Sequence, residues 1–220
     1  MPQYALGLTL PPVFSADNFF ISTSNREAWQ WIEAWPNWSV SGPSHAFLLY
    51  GPAGSGKSHL GQIWAARAHA SVATAATLPV GEAGKGNWLV EDIEQLKEER
   101  ALLHLLNYNK ENDGNILLTS SFPPMNLPFT LPDLTSRLLA LPTAGIAQAD
   151  DGVLAGAIRK QFADRQMKID DDVIAYLLPR MERSLAKAKA LVERLDNQAL
   201  AEAKNITVPF VKRVLEQIQE

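Results

Sequence analysis

The 220-residue sequence contains no cysteine, which excludes disulfides, thiolate metal sites and cysteine nucleophiles together. Its 4 histidines, His45, His59, His69 and His104, lack the tight spacing by which imidazoles share a zinc ion. A surplus of positive charge is missing too: 20 Lys+Arg stand against 24 Asp+Glu, for a net charge of −4. Up to residue 147 the balance is 8 basic against 12 acidic residues, and beyond it 12 against 12. Neither part offers the basic stripe by which a protein holds DNA on its own surface. No apolar run approaches the roughly 18 residues of a membrane helix, and the first residues show no charged segment followed by an apolar one. The expectation is a cytoplasmic protein that neither touches a membrane nor reads DNA sequence directly.

What is present is ordinary for a folded chain, with 46% hydrophobic and 20% charged residues. The length exceeds one average domain and falls short of two, so one substantial domain with a smaller companion is expected. Residues 1–13 read as an arm ending at Pro11-Pro12. Ser24 or Asn25 can cap a helix running to about Trp35, where Pro36 stops it. The tryptophans at 29, 31, 35 and 38 read as core packing; their acidic surroundings disfavour a stacking platform for single-stranded nucleic acid.

From there to residue 147, apolar runs alternate with helical stretches. HAFLLY (45–50), WLVED (88–92) and NILLTSS (115–121) have the near-continuous apolar character of buried parallel strands. Weaker strands are predicted at 71–77 and 141–147, with helices through about Ala70, from about Glu94 to Lys110, and at 132–140. Beyond 147 the pattern is helical only, with Asp151, Asp170, Ser184 and Thr207 each preceding a helix. The fold class is therefore α/β: a core at 14–147 with a parallel sheet flanked by helices, followed by a small all-α unit at 148–220.

GPAGSGKS, Gly51 to Ser58, matches the G-x-x-x-x-G-K-[ST] phosphate-binding pattern between a predicted strand and a predicted helix. The chemistry requires backbone N–H groups turned toward one anion. Gly51, Gly54 and Gly56 permit the turn and the close approach, while Pro52, Ala53 and Ser55 complete the loop. Lys57 is placed to reach the β/γ-phosphates, the Ser58 hydroxyl to hold Mg²⁺, and His59 to follow in the helix whose positive end faces the anion. The expected ligand is thus a nucleoside di- or triphosphate with Mg²⁺. WLVED adds the acids: Glu91 for the metal and Asp92 to position water. Many such proteins carry Asp before Glu. Here Glu91 reaches one methylene further and Asp92 one less, and a misplacement of ~1 Å can cost on the order of a hundredfold in rate. Efficient hydrolysis by this chain alone is not expected.

GPAGSGKSHL, the upstream DNFFI and NITVPFVKRVL near the end carry a more specific likeness. With them the sequence resembles the AAA+ module of the bacterial replication initiator DnaA and, more closely, the DnaA-related Hda regulators, from about Phe14 onward. The resemblance implies an AAA+ P-loop NTPase core followed by a helical lid. It also implies that Phe20 and Ile21 contact the adenine, although both also suit a plain core role. Ser121 stands where the family's sensor strand ends facing the γ-phosphate, and Arg137 in TSR where the family bears an arginine finger that completes a neighbour's site. Ala186 occupies the position of the family's nucleotide-sensing lid arginine, leaving Lys187 as the candidate replacement, against a plain surface role on the same helix. Gln3, Leu6 and Leu8 resemble the peptide that docks on the DNA polymerase III sliding clamp, with Tyr4 departing from the usual leucine.

The implied function is a nucleotide-bound regulator of replication initiation that is tethered to the clamp and promotes hydrolysis of ATP held by DnaA. A homodimer stays open. The alternatives are an ATP-dependent initiator or helicase loader acting on DNA, disfavoured by the charge balance, and a P-loop kinase of a small metabolite, disfavoured by the all-helical tail.

Overall fold

The computed structural model describes residues 19–38, 45–79 and 85–219. The arm with Gln3, Leu6 and Leu8 lies outside the described residues.

A five-stranded parallel sheet forms the core, in the order β2-β3-β4-β1-β5. Its strands are β1 (Ala46–Tyr50), β2 (Ser71–Thr74), β3 (Trp88–Glu91), β4 (Ile116–Ser120) and β5 (Thr143–Gly145). Alternate side chains of the strands feed two different layers. Phe47, Leu49, Leu89, Leu117 and Ala144 meet α1 (Arg26–Ala34) and α2 (Lys57–Ala68) through Ile32, Leu60, Ile63 and Trp64. Ala46, Leu48, Val90, Ile116 and Leu118 meet α3 (Glu99–Glu111) and α4 (Pro132–Leu139) through Leu102, Leu105, Leu134 and Leu138. Burial on both faces explains the near-continuous apolar runs of the central strands, which give way to Glu91 in β3 and to Thr119 and Ser120 in β4 only at their C-terminal ends. The edge strand β2 buries only Ala73, which is why its sequence signal is weak.

Four helices follow: α5 (Asp151–Asp164), α6 (Asp171–Leu177), α7 (Leu185–Glu202) and α8 (Val208–Gln219). They enclose a separate apolar cluster that includes Leu154, Ile158, Phe162, Leu177, Val192, Leu195 and Val214. Asp150 caps α5 by accepting from the Val153 N–H at 2.9 Å, and Ser184 caps α7 by accepting from the Lys187 N–H at 3.4 Å. Among the described residues no helix is long and apolar enough to cross a membrane.

Three local expectations change. Asn25 occupies the cap position of α1 but does not cap it; its carboxamide accepts from the Ser22 N–H at 2.8 Å and donates to the Phe20 carbonyl at 2.7 Å. The second strand stops at Thr74, where Thr77 closes a turn by donating its N–H to the Thr74 carbonyl at 3.0 Å. The helix expected from Glu94 begins at Glu99 instead, after a 3₁₀ turn at Ile93–Gln95. The reason lies in the segment just past β3: the Asp92 N–H donates to Thr119 Oγ1 at 3.1 Å, and Glu94 turns inward to β4.

Candidate functional site

The loop Gly51–Gly56 leaves β1 and enters α2. It is rooted in the sheet: the Gly51 N–H donates to the Ser120 carbonyl at 3.1 Å, and the Ile146 N–H donates to the Tyr50 carbonyl at 2.7 Å. A Cβ on Gly51 would collide with the Ile146 carbonyl oxygen, so glycine is required there by close approach. Gly54 and Gly56 have φ of 74° and 105°, a region that L side chains rarely adopt.

Lys57, the first residue of α2, is buried and donates to the Gly51 carbonyl at 2.7 Å and the Pro52 carbonyl at 3.1 Å. Burial pushes its ammonium below the usual lysine value, and the carboxylates of Asp92 and Glu94 oppose that shift. Pro52, Ala53 and Ser58 are exposed at the loop surface, while Ser55 is buried and its hydroxyl finds no hydrogen-bond partner among the described residues. His59 meets the edge of Phe19 at 5.6 Å, and Phe19 stacks on Trp29 at 5.3 Å.

The acids stand at the ends of the neighbouring strands. Glu91 closes β3 and accepts from Gln62 Nε2 at 3.4 Å, while its Oε1 is buried with no partner among the described residues. Asp92 has φ of 54°, a left-handed conformation that turns the chain out of the strand. Glu94 is a third acid that reading by sequence pattern leaves on a helix surface. Its carboxylate accepts from the Ser121 N–H at 3.0 Å. Burial works to raise the Glu94 carboxyl, but hydrogen bonds from the Ser121 hydroxyl and N–H and from Ser120 outweigh it and hold it below the usual carboxylate range. The signal was present in VEDIE as an acid two places past Asp92.

The ends of β1, β3 and β4 thus gather Gly51–Ser58, Glu91, Asp92, Glu94 and Ser121 at one edge of the sheet. Such a group can hold an anion by backbone amides and one buried ammonium, with carboxylates alongside. Among the described residues no three His, Cys, Asp or Glu form a metal cluster of their own.

The other candidates lie around this edge. The Phe20 ring rests on Gly156 of α5, where a Cβ would sit 2.8 Å from its Cδ1, and it packs against the four-helix cluster. Ile21 is half exposed. Lys187, in the first turn of α7, is exposed with its Nζ 3.8 Å from Glu182 Oε2. Arg137 is exposed in the last turn of α4, and among the described residues its side chain takes part in no hydrogen bond or ion pair.

Comparison with known proteins adds to this geometry. Residues 151–215 match the family model described as the lid domain of Hda. An uncharacterized protein of Haemophilus influenzae is 26% identical over 186 residues, spanning 77% of this chain and 80% of that protein. Domain III of the Thermotoga maritima replication initiation protein DnaA superposes with a TM-score of 0.78 at 17% identity, over 94% of this chain and 98% of that one. AMPPCP-bound DnaA from Aquifex aeolicus gives 0.76 at 19% identity, over 96% and 71%. A RuvB structure from Thermotoga maritima gives 0.73 at 17% identity, over 93% and 72%.

Proposed function

We propose, from the premise that this is a DnaA-related, Hda-like AAA+ replication protein, that it acts as a nucleotide-bound regulator which switches off DnaA by promoting hydrolysis of DnaA-bound ATP. The observation that carries this reading is the side chain of Arg137, exposed and without a hydrogen bond or ion pair among the described residues. A guanidinium held by its own chain is spent there. One left free on a helix anchored by Leu134 and Leu138 can enter a neighbour's site. Positive charge placed where it develops on a transferring phosphoryl group is worth ~10³–10⁵ in rate.

The residues of the chain's own site fit a nucleoside phosphate with Mg²⁺. The positive-φ glycines shape the loop, Lys57 supplies the buried cation, and the buried Glu91 Oε1 lacks a partner among the described residues. Gly51 to His59 would hold the phosphates of ADP or ATP, and Ser58 with Glu91 would hold the metal, which supplies charge neutralisation between phosphate oxygens. Phe20 and Ile21 would flank the base, and Lys187 would stand on the lid side. Asp92 would orient water from a short side chain, and Ser121 would offer only a hydroxyl, on a residue whose N–H is tied to Glu94. Both features favour holding nucleotide over rapid turnover. Gln3, Leu6 and Leu8 would dock on the polymerase III sliding clamp and so confine the activity to replicating DNA.

The test is reconstitution: purified protein, ADP, ATP-loaded DnaA and clamp-loaded DNA, with hydrolysis followed in time. Acceleration of DnaA's hydrolysis that drops sharply after Gln3→Ala and Leu6→Ala is expected. No acceleration would sink the regulatory reading, and equal acceleration by the arm variant would sink the tether.

A further inference from the structure

We infer that the four-helix lid senses the occupancy of the phosphate loop through the loop's backbone, by a clasp between Gly54 and the first residues of α7, Ser184 and Leu185. The Leu185 N–H donates to the Gly54 carbonyl at 3.2 Å. The space that a Cβ on Gly54 would fill is taken by the Ser184 hydroxyl, and Ser184 is buried. A Cβ on the next loop glycine, Gly56, would lie 3.5 Å from Leu185 Cδ1. The start of the lid helix therefore rests on two consecutive glycines of the loop. Other core–lid contacts among the described residues, such as Phe20 on Gly156 and Thr23 to Asp150, hold α5 to the segment before α1.

The peptide plane between Gly54 and Ser55 makes the clasp a sensor. Its carbonyl points to the lid, and its N–H, on Ser55, donates to the Pro52 carbonyl at 3.2 Å inside the loop. A trans peptide is rigid, with its carbonyl and N–H on opposite sides. A phosphate that takes the Ser55 N–H away from Pro52 turns this plane and displaces the acceptor that holds Leu185. Loop occupancy and lid seating are then one equilibrium, with no lid side chain needed at the phosphate. By linkage, the lid's seating changes nucleotide affinity by the same factor as nucleotide changes the seating.

The inference rests on the reading that the loop binds nucleotide, and the experiment separates the two. The chain has no cysteine, so Lys110→Cys on α3 and Ala201→Cys on α7, both exposed, accept a donor and an acceptor dye. Energy transfer is measured with and without ADP, and binding is followed separately with a fluorescent ADP analogue. Leu185→Pro deletes the one N–H at issue: proline is favoured at the first helical position, and Ser184 at φ −141°, ψ 130° already has the extended form a residue before proline needs. Leu185→Ala removes the packing on Gly56 and keeps the N–H. ADP is expected to shift the transfer efficiency of the parent and of Leu185→Ala. Leu185→Pro should bind the analogue within about tenfold of the parent, the worth of one hydrogen bond, and lose the shift. A full shift in Leu185→Pro overturns the clasp, as does binding without any shift in the parent. Absence of binding by the parent overturns the nucleotide reading, and the clasp falls with it. Should Leu185→Pro not fold, Ser184→Gly, which keeps a serviceable helix cap and empties the space beside Gly54, is expected to reduce the shift; an undiminished shift there overturns the clasp equally.

Discussion

Lys57→Met tests the division of labour at the loop. Methionine keeps an unbranched chain of similar length in the buried channel and deletes the ammonium. In the free protein that ammonium gives charge-assisted hydrogen bonds to the Gly51 and Pro52 carbonyls at 2.7 and 3.1 Å, each worth about 1.5–3 kcal/mol. Against them stands the cost of burying a cation, several kcal/mol even after relaxation. The opposing pulls on its pKa, from burial on one side and Asp92 and Glu94 on the other, reflect the same balance. These contributions nearly cancel, so the unfolding temperature should move by only about 2–4 °C, the equivalent of about 1 kcal/mol in a chain of this size. A bound phosphate has no such cancellation, because the variant leaves a desolvated anion without its cation. That loss is about 2–4 kcal/mol, or roughly thirty- to several-hundredfold in affinity. Calorimetric titration with ADP and Mg²⁺, beside thermal unfolding of the free protein, reads both quantities. An affinity loss below about threefold in a folded variant would refute the reasoning that Lys57 is the loop's phosphate cation.

Two further predictions concern the joint between core and lid. Asp150→Ala removes the α5 cap and should cost about 1 kcal/mol near neutral pH. Hydrogen bonds from the Ser22 hydroxyl and the Val153 N–H hold the Asp150 carboxyl below its usual value. A lowered folded value means that this stability is present above the unfolded pKa of about 3.9 and is lost as pH falls through the folded one. In urea titrations the gap between parent and variant should therefore narrow from pH 6 to pH 3, and an unchanged gap would contradict this. Gly156→Ala drives a methyl to within 2.8–2.9 Å of Phe20 ring carbons, an overpacking worth about 1–3 kcal/mol. Combining it with Phe20→Leu should destabilise by less than the sum of the two single changes; strict additivity in chemical denaturation would show that the two residues do not touch.

What could be read from sequence was local or doubly buried. The strands of HAFLLY, WLVED and NILLTSS stood out because both of their faces are covered, and the loop because its glycines and Lys57 have fixed spacing. Asp170 and Ser184 marked their helix starts, whereas α5 begins at Asp151 with Asp150 as its cap, one place earlier than expected, since adjacent aspartates cannot be told apart by pattern. Contacts distant in the chain were not legible. Glu94 reaches Ser121 across 27 positions, and that bond is what delays the following helix. Gly54 meets Ser184 and Leu185 only because the lid returns to the loop, which no local pattern encodes. Arg137 could be placed on a helix from sequence, but its freedom from ion pairs emerged only from the packed chain.

The central claim, that this chain acts on a neighbour's nucleotide, is tested most directly at Arg137. Hydrolysis of ATP preloaded on DnaA is followed in a single turnover, in the presence of clamp-loaded DNA, with parent protein, Arg137→Ala and Arg137→Lys. Because the side chain is exposed and unpaired among the described residues, neither substitution should alter the unfolding temperature or the ADP affinity of this chain itself. Arg137→Ala should lose the stimulation by about 10³-fold or to background, and Arg137→Lys should recover little of it, since an ammonium lacks the planar fork of the guanidinium. Stimulation that survives Arg137→Ala at the parent's rate would contradict the account.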